Sequence, residues 1–329
     1  METHLESPSG RYQVALRLER ALGPASRRLS KQQVLIVVCA YNEARALPDL
    51  LEALGKTVGQ TEVLVVDDGS SDGTGRLAEK GGAIVLKHWR RMGKAASLQD
   101  AIDYALDNGY GIVVEMGADS IPAKGSIETL ISSMDSPAVG GASVRQMPIG
   151  RKNASFYIDE LIWSVLSLGK SLQMARHGTS HLGGVMYAFK PECVSSVEGS
   201  VNDDEQLSVC IRNKGYKAIF VPKSVVYFDA SSSVGHILER RRRMYFGHMM
   251  YSESTAPSME ISIAASALLK SLGEKPSRLP WILPAVFLDF FSRLSAWRDL
   301  RSPKKRGEYA MWMTTFDKNL VSGAVRINR

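Results

Sequence analysis

Short apolar runs rich in β-branched residues recur in the first half of the chain, and each ends in polar or glycine-bearing sequence. Val34–Val38, Val63–Val66, Ala83–Leu86 and Ile112–Glu115 have the length of buried strands. Helical spacing of apolar residues appears between them, most clearly at Lys94–Asp107. Strands that alternate with helices predict βαβ units. The pattern therefore predicts an α/β fold with a parallel sheet.

The second half of the chain has a less regular pattern, and the N-terminal 31 residues are polar and rich in Ser and Arg. A short helix at Tyr12–Leu22 is predicted within an otherwise mobile N-terminal arm. The further predicted strands are Ala142–Met147, Val185–Phe189, Ala218–Val221 and Val225–Phe228. One further predicted helix follows the first strand and ends near Leu54. The other predicted helices span about Ser155–Met174, Asp204–Lys214, Val234–Tyr251, Ile261–Leu272 and Trp281–Leu300.

The stretch VLVVDDGSSDGT, Val63–Thr74, joins the second predicted strand to a helix. Asp67 and Asp68 follow the strand directly, and Ser71 or Asp72 is the expected N-cap of the helix. Ligands of open α/β sheets bind outside the carboxyl ends of strands. The two carboxylates are therefore placed to accept hydrogen bonds from a base N–H group or from ribose hydroxyls. A solvated turn would explain this stretch if it stood alone.

Three other polar segments lie beside predicted strands or helices. The tetrapeptide AYNE, residues 40–43, ends the first strand, and the ring of Tyr41 could pack near a base or ribose. Asp119 follows the fourth strand, where a carboxylate can hold Mg²⁺ or Mn²⁺. Asn202–Glu205 is an acidic cluster at the start of a helix, where acids also interact favourably with the helix dipole.

Composition narrows the classes of protein to consider. The 329 residues are 44% apolar, which is enough for one large α/β domain or two small ones. The net charge of +7 suggests an anionic partner such as a nucleotide, a lipid headgroup or a nucleic acid. No signal peptide is recognised at the N-terminus, and no apolar run approaches the ~18 residues of a membrane span. The three cysteines lack metal-ligand spacing and are predicted to be buried thiols in a reducing compartment: Cys39, Cys193 and Cys210.

Together, these segments in this order resemble the family 2 glycosyltransferases, which have the GT-A fold. The resemblance covers roughly Val34–Met250. It implies that the AYNE loop and the VVDDGSSDGT stretch bind the nucleotide of a nucleotide-diphosphate sugar. The turn Gly93–Ala96 resembles the family's GKGxA turn, which implies that Lys94 lies near the diphosphate. The residues implied at the nucleotide are Ala40, Tyr41, Glu43, Asp67, Asp68 and Ala118.

The segment Gly117–Ser120 corresponds to the family's Asp-Ala-Asp-Ser metal motif. The resemblance implies that Asp119 contacts a bound Mg²⁺ or Mn²⁺. Gly117 replaces the first aspartate of the motif, and this departure puts the metal affinity in question. The glycine-bearing stretch Leu182–Ala188 resembles the strand that forms the floor of the acceptor site.

The acidic cluster and a later basic run complete the resemblance. Asp204 corresponds to the family's general base, which must face the acceptor hydroxyl. The run of four arginines resembles the family's Gln-x-x-Arg-Trp motif: Arg243 keeps the arginine, while Arg240 and Met244 replace Gln and Trp. The arginines could neutralise the departing diphosphate, and a solvated basic helix face is the alternative. The changes at Arg240 and Met244 argue against a processive synthase.

The last predicted helix has an apolar face followed by basic residues. This combination suits a helix that lies in the plane of an anionic membrane. The alternative is a helix packed on the catalytic domain or on a dimer partner. The apolar face comprises Leu283, Phe287, Phe290, Leu294 and Trp297, and Asp289 and Arg293 are expected to pair beside it. The basic residues are Arg298, Arg301, Lys304, Lys305 and Arg306.

The sequence therefore predicts an inverting, metal-dependent glycosyltransferase of cell-surface glycan biosynthesis with a glycan or lipid-linked acceptor and no nucleic-acid partner. It is expected at the cytoplasmic face of the cell membrane. The predicted organisation is an N-terminal arm at 1–31, a GT-A catalytic domain at 32–252 and a helical, membrane-associating region at 253–329. Two alternatives are sugar transfer to a polyprenyl phosphate, which is already ionised and needs no strong base, and a non-catalytic nucleotide-sugar-binding protein. A dehydrogenase is disfavoured because no G-x-G-x-x-G follows Val34–Val38.

Overall fold

The structure, a computed structural model, describes residues 33–57, 61–250, 260–302, 305, 308 and 309, and the backbone of residues 3–6 and 12–16. The strands in these ranges are β1 (Thr3–Glu6), β2 (Tyr12–Leu16), β3 (Val34–Ala40), β4 (Glu62–Asp67), β5 (Ile84–His88), β6 (Ile112–Met116), β7 (Ser120–Pro122), β8 (Val139–Ile149), β9 (Met186–Phe189) and β10 (Lys217–Asp229). The helices are α1 (Leu47–Thr57), α2 (Thr74–Lys80), α3 (Lys94–Asp107), α4 (Ser126–Ser132), α5 (Ala154–His177), α6 (Asp203–Asn213), α7 (Val234–Met250), α8 (Ile261–Glu274) and α9 (Ile282–Asp299).

The strands form one mixed sheet. Its order in the described residues is β1-β2-β5-β4-β3-β6-β9-β8-β10-β7. The four strands β5, β4, β3 and β6 run parallel, as the alternation of strands and helices predicts. Strand β9 is antiparallel to both β6 and β8. The carboxyl ends of β4, β3 and β6 therefore lie side by side at one edge of the parallel part.

Two apolar cores cover the two faces of the sheet. Alternate residues of β3 belong to different cores: Leu35 and Val37 to one, Ile36 and Val38 to the other. This division follows from the alternation of side chains along a strand. Helices α3 and α6 pack on the first face, and α1 and α4 pack on the second. All three cysteines are buried and unpaired, as predicted.

Three local predictions were wrong. Tyr12–Leu16 is a strand paired antiparallel with β5, whereas a helix was expected; the rest of that predicted helix lies outside the described residues. Helix α2 has Gly73 at its N-cap with a φ of 91°, and the Asp72 carboxylate accepts the Thr74 N–H at 3.0 Å from outside the helix. The two strands predicted around Pro222 are one strand, β10, whose pairing with β8 shifts between Val221 and Val225. Proline has no N–H to donate, so it is accommodated where the ladder is interrupted.

Four helices, α5, α7, α8 and α9, form a layer beyond the far half of the sheet. The buried face of α9 includes Ala285 and Leu288 and packs with Ile158 of α5 and Ile237 of α7. Ion pairs add to this packing, because Lys275 Nζ after α8 lies 2.7 Å from Glu160 Oε1 of α5. The predicted pair on α9 is present, with Arg293 Nε 2.8 Å from Asp289 Oδ2.

The apolar face predicted on the last helix lies in solvent. Leu283 is 79% exposed and Phe287 is 65% exposed, and Phe290, Leu294 and Trp297 are also exposed. This face is therefore exposed rather than part of the apolar cores of the described residues. The segment Pro276–Asp299 is long and apolar enough to cross a membrane by length and composition, so the prediction that no segment reaches span length was wrong. One such segment is weak evidence for a span, because core helices of soluble proteins meet the same criterion.

Candidate functional site

A cleft opens at the carboxyl ends of β3, β4 and β6, where the sequence places most of its candidate residues. Its empty volume is about 390 Å³. The loops that follow these strands form its walls, together with Arg91 before α3 and Lys94 and Ser97 of α3. The lining residues predicted from the sequence are Ala40, Tyr41, Glu43, Asp68, Lys94, Ala118 and Asp119. Sequence analysis did not anticipate the lining residues Cys39, Arg91 and Ser97.

The loop after β3 and the loop after β4 are hydrogen-bonded to each other. Glu43 N donates to Thr74 Oγ1 at 2.9 Å, and Ala44 N donates to Asp72 Oδ2 at 3.0 Å. In the opposite direction, Ser71 N donates to Asn42 Oδ1 at 3.0 Å. Several residues of the two motifs therefore position each other, and this contact brings the Tyr41 ring to the mouth of the cleft.

The two aspartates that follow β4 have different surroundings. Asp67 does not line the cleft: it is buried, and its Oδ1 accepts the Ser70 N–H at 2.9 Å. A side chain at Gly75 would begin 2.5 Å from Asp67 Oδ2, so the second carboxylate oxygen is packed against α2. Asp68 does reach the cleft. Of the three acids expected around one pocket, the structure brings Asp68 and Asp119 together and leaves Asp67 beneath the loop.

Asp68 is part of a buried acid–histidine–acid arrangement. His88 Nδ1 lies 2.8 Å from Asp68 Oδ1, and His88 Nε2 lies 2.9 Å from Asp100 Oδ2. Burial alone would lower the pKa of His88, but the hydrogen bonds to Asp100 and Asp68 raise it to about 9. The ring is therefore an imidazolium at neutral pH. Asp68 also accepts the N–H groups of Met92 at 2.6 Å and Gly93 at 2.8 Å, which fixes the turn before α3.

Lys94, the first residue of α3, forms an ion cluster beneath the cleft. Its Nζ lies 3.2 Å from Glu115 Oε1 of β6 and 3.0 Å from Asp203 Oδ2 of α6. Tyr187 Oη donates to Asp203 Oδ2 at 2.8 Å. Burial raises the pKa of Glu115 to about 7 although Lys94 opposes the shift. Burial acts to lower the pKa of Lys94, and Asp203 and Glu115 reverse that effect and raise it. Lys94 therefore keeps its charge and joins three elements at the base of the site.

The side of the site that the sequence assigned to the acceptor is built around the glycine pair Gly183 and Gly184. Asp204 Oδ2 accepts the Gly184 N–H at 3.0 Å, so the candidate base is fixed against the stretch before β9. The ammonium of Lys170 lies under Gly183, where a Cβ would be only 2.2 Å from Nζ. Burial lowers the pKa of Lys170 to about 8, with Asp204 and Glu205 opposing the shift. A glycine at 183 is required for this cation to sit there.

The four consecutive arginines of α7 point in different directions. Arg243 Nη2 donates to Val201 O at 3.0 Å. Burial lowers the pKa of Arg243, an effect that nearby Asp203 and Asp204 oppose, so its guanidinium faces the acidic start of α6. Arg240 instead bonds to Asp159 of α5 and to Ser231 Oγ at 3.1 Å. The structure therefore brings Arg243 to the start of α6 and leaves Arg240 at α5, since the two residues are about one turn apart along α7 and their side chains reach different partners.

A divalent ion at this site would depend on few protein ligands. Within the described residues, no three His, Cys, Asp or Glu side chains form a group that could hold a metal. Mg²⁺ is commonly held by one or two carboxylates and completed by substrate phosphates, which matches Asp119 alone in an open cleft. A Cβ at Gly117 would lie 3.1 Å from Asp119 Oδ1. Glycine at 117 therefore leaves room for this orientation of the Asp119 carboxylate.

Comparison with known proteins agrees with this site. Residues 35–194 match the profile of Glycosyl transferase family 2. A polyprenol monophosphomannose synthase of Mycolicibacterium smegmatis is 32% identical over 208 residues, which are 58% of this chain and 76% of that protein. The chain belongs to glycosyltransferase family 2. It is thus a glycosyltransferase, as the sequence motifs predicted.

Two other similar proteins extend this finding. An undecaprenyl-phosphate mannosyltransferase of Micrococcus luteus is 32% identical over 136 residues, 38% of this chain and 56% of that protein. The mannosyltransferase PcManGT from Pyrobaculum calidifontis, solved with GDP-Man and Mn²⁺, has a TM-score of 0.57 at 20% identity. The match covers 84% of this chain and 88% of that one. This structural similarity confirms the predicted GT-A fold of the family 2 enzyme.

Proposed function

We propose that this family 2 enzyme transfers a sugar, with inversion, from a nucleotide-diphosphate sugar to a polyprenyl phosphate. The observation that carries the donor assignment is the meeting of Asp68, Lys94 and Asp119 in one cleft at the carboxyl ends of the strands. Carboxylates can accept hydrogen bonds from the nucleoside, and the cation and a metal suit a diphosphate. Asp119 is exposed where it lines the cleft, so this side of the cleft faces solvent.

The acceptor assignment rests on the relatives and on the charge of the acceptor side. Two relatives that are 32% identical are named for transfer to polyprenol or undecaprenyl phosphate. In this chain, the Lys170 ammonium lies under Gly183, next to the Gly184 N–H that Asp204 accepts, so an anionic acceptor there would meet positive charge. A glycan or lipid-linked hydroxyl is the second candidate. Asp204 favours it, because a carboxylate fixed beside the acceptor floor could act as a general base.

The proposed reaction is a single displacement at the anomeric carbon. An oxygen of the acceptor forms the new C–O bond on one face of the sugar, and the bond to the diphosphate breaks on the other. Arg243 stabilises the negative charge that develops on the leaving diphosphate, and Lys94 fixes the turn against which the diphosphate lies. The role of Arg243 is carried over from the sequence prediction, Asp204 acts as a general base only for a hydroxyl acceptor, and Arg240 is now assigned a structural role at Asp159.

Asp119 is the residue that would hold a divalent ion. When bound, Mg²⁺ or Mn²⁺ would supply positive charge to the diphosphate oxygens. Asp119, in the loop after β6, is exposed in the cleft, whereas Glu115 of β6 is buried and paired with Lys94. The exposed position of Asp119 at the cleft supports its assignment to the ion.

The reaction can be tested with radiolabelled GDP-mannose and UDP-glucose, Mn²⁺ and a short-chain polyprenyl phosphate. We expect label in the lipid phase from one of the donors. An Asp204→Asn variant should keep most of its transfer to polyprenyl phosphate, because a phosphate oxygen is already ionised at neutral pH. A loss of more than about a hundredfold in this variant would contradict that expectation and assign Asp204 a general-base role, since general-base catalysis contributes about 10²–10⁴. A wild type that does not label polyprenyl phosphate but labels a glycan or lipid-linked hydroxyl would favour the hydroxyl acceptor. Absence of transfer from every donor, with nucleotide binding intact, would favour the non-catalytic alternative.

We also propose that the exposed face of α9 rests on an anionic membrane, at the cytoplasmic side of the cell membrane. The supporting observation is that five aromatic or aliphatic residues of one face are exposed while the opposite face packs on α5 and α7. Arg301 follows this face and stacks on the Trp297 ring at 3.9 Å, so charge and apolar surface adjoin. A helix held this way lies along the surface rather than across it. The boundaries predicted at residues 31 and 252 also remain proposals.

The protein should co-sediment with phosphatidylglycerol-containing vesicles at low salt and be partly released at high salt. Each basic residue near an anionic surface contributes roughly 1 kcal/mol, and salt screens that attraction. A Phe287→Ser, Phe290→Ser double variant should reduce binding about tenfold or more, because two exposed rings leave the interface. Neutralising the basic residues from Arg298 to Arg306, of which Lys304 and Arg306 lie outside the described residues, should also reduce it.

The control for this experiment is Leu106→Ser, which removes an exposed apolar residue from α3 on another part of the surface. It should bind vesicles like the wild type. If the wild type ignores anionic vesicles at low salt, the membrane proposal is wrong. In that case, concentration-dependent dimerisation that is lost in the Phe287→Ser, Phe290→Ser variant would assign the face to a second copy of the chain.

A further inference from the structure

Arg91 is a residue of the cleft that the motifs did not identify. It lies in the loop between β5 and α3, and its Cζ is 4.2 Å from the centre of the Tyr41 ring. Both residues line the cleft. A guanidinium that stacks on an aromatic face keeps its N–H groups free in the plane to meet planar or tetrahedral oxyanions.

Two hydrogen-bond donor atoms of Arg91 have no partner within the described residues. Its Nε and Nη2 atoms are buried, and neither has a hydrogen-bond partner there. Buried donors are nearly always paired in folded proteins, because an unpaired one loses its hydration without compensation. Two orphaned donors on one side chain that lines a cleft indicate that a ligand supplies the acceptors.

The backbone around Arg91 is fixed before any ligand binds. On one side, Gly69 has a φ of 73°, and a Cβ there would lie 2.7 Å from Arg91 N, so the two loops are in close contact. On the other side, the N–H groups of Met92 and Gly93 both donate to the Asp68 carboxylate. The side chain therefore leaves a rigid loop, and little ordering is required when it binds.

The charges around Arg91 indicate an anionic ligand. The nearby charge of Arg91 contributes to the lowered pKa of Arg243, after the larger effect of burial, so the two guanidinium groups influence each other across the site. Two neighbouring guanidinium cations repel each other, and an anion bound between them relieves that repulsion. Lys94 adds a third cation at the base of the same cleft, although its charge is already balanced by Glu115 and Asp203.

We propose that Arg91 binds the diphosphate of the nucleotide donor through its Nε and Nη2 groups, with Tyr41 holding the plane of the guanidinium. This assignment rests on the proposed donor class. Arg91 thereby gives the cleft a cation with two donor atoms that do not bond to the described residues. Lys94, which also lines the cleft, belongs to the ion cluster beneath it. Tyr41 is likewise assigned to the orientation of Arg91, in addition to any contact with the nucleoside.

The experiment is calorimetric titration of GDP, UDP and the corresponding nucleosides into the wild type and two Arg91 variants, with Mn²⁺ present. Arg91→Met should weaken binding of the diphosphate by about 10- to 100-fold, the effect expected for lost hydrogen bonds to a charged group. Nucleoside binding should not change. Arg91→Lys should recover only part of the affinity, because an ammonium cannot reproduce the two parallel N–H bonds of a guanidinium.

Arg90→Met is the matched control, because it removes the same charge from the adjacent, exposed position. It should bind the diphosphate like the wild type, and thermal unfolding of all variants without ligand shows that they are folded. Equal diphosphate affinity in Arg91→Met and the wild type would overturn the assignment. An equal loss for nucleoside and diphosphate would also overturn it, by placing Arg91 at the base. If the wild type binds none of these nucleotides, the proposed donor class is itself wrong.

Discussion

An Asp119→Ala variant should lose the Mn²⁺-dependent part of donor binding and at least about a hundredfold of its transfer rate. The physical reason is that the metal motif offers one exposed carboxylate: Gly117 has no side chain, and the described residues contain no group of three ligands that could compensate. A metal ion contributes several kcal/mol of charge stabilisation to reactions of this kind. The measurement is titration of the nucleotide diphosphate with and without Mn²⁺.

Asp107→Ala is a suitable control for this experiment, because it removes an exposed carboxylate at the end of α3, away from the cleft lining. It should keep both the affinity and its dependence on Mn²⁺. If Asp119→Ala binds the donor with undiminished metal dependence, another group holds the ion. Glu115 would then be the first residue to examine, although it would have to leave Lys94 to do so.

A His88→Leu variant should be less stable than the wild type by about 3–5 kcal/mol at neutral pH. His88 has no exposed side-chain surface and lies between the carboxylates of Asp68 and Asp100. Removal of one partner leaves buried negative charge without compensation, which costs about that much. Chemical denaturation monitored by tryptophan fluorescence measures the difference. The turn at Met92 and Gly93 should also loosen, because Asp68 holds it.

The same imidazolium makes the wild type sensitive to alkaline pH. The pKa of His88 is about 9 in the folded protein against an ordinary value of 6.5. Its contribution is therefore complete below pH 6.5 and is lost as the pH rises through 9. Since one pKa unit corresponds to about 1.4 kcal/mol, this group should account for a decrease of about 3 kcal/mol in the free energy of unfolding over that range.

The His88→Leu variant should lack that decrease, whereas an exposed His177→Gln control should retain it. His177 has only a surface contact with Glu260, which contributes little. A wild type whose stability does not change between pH 6.5 and 9 would mean that His88 is neutral in the folded protein.

The central sheet was well predicted because the apolar residues that mark a buried parallel strand are close together in the sequence. Each of β3, β4 and β6 is a continuous apolar run, and α3 has the predicted bounds because its apolar residues repeat at helical spacing. Strand β2 was missed for a non-local reason. Its five residues are too few to reveal a period, and their conformation is decided by pairing with β5, which is about seventy residues further along the chain.

The candidate site was predictable where residues act as members of a loop motif. Asp68, Lys94 and Asp119 line the cleft because each follows a strand or opens a helix at the same sheet edge. Other residues depend on contacts between distant parts of the chain. His88 gains its importance from Asp68 and Asp100, and Arg91 from Tyr41, and no local pattern encodes these contacts.

The run of four arginines shows most clearly that residues adjacent in the sequence need not act together. A block of like charge in the sequence suggested one basic patch. The helix separates its members, so Arg240 contacts α5 while Arg243 faces the start of α6. Three of the four arginines instead pair with an acidic residue elsewhere in the chain: Asp159, Asp289 and Asp299.

The two middle arginines of that run bear on where the catalytic unit ends. Arg241 is almost fully buried and pairs with Asp289, and Arg242 holds Asp299 through two bonds of 2.5 and 2.6 Å. Both carboxylates belong to α9, beyond residue 252. A chain that ends at residue 252 would keep every residue that lines the cleft. It would leave Arg241 and Arg242, on the helix that carries Arg243, without their carboxylate partners. We therefore expect the smallest piece of this protein that folds with Arg243 in its observed position to extend through Asp299.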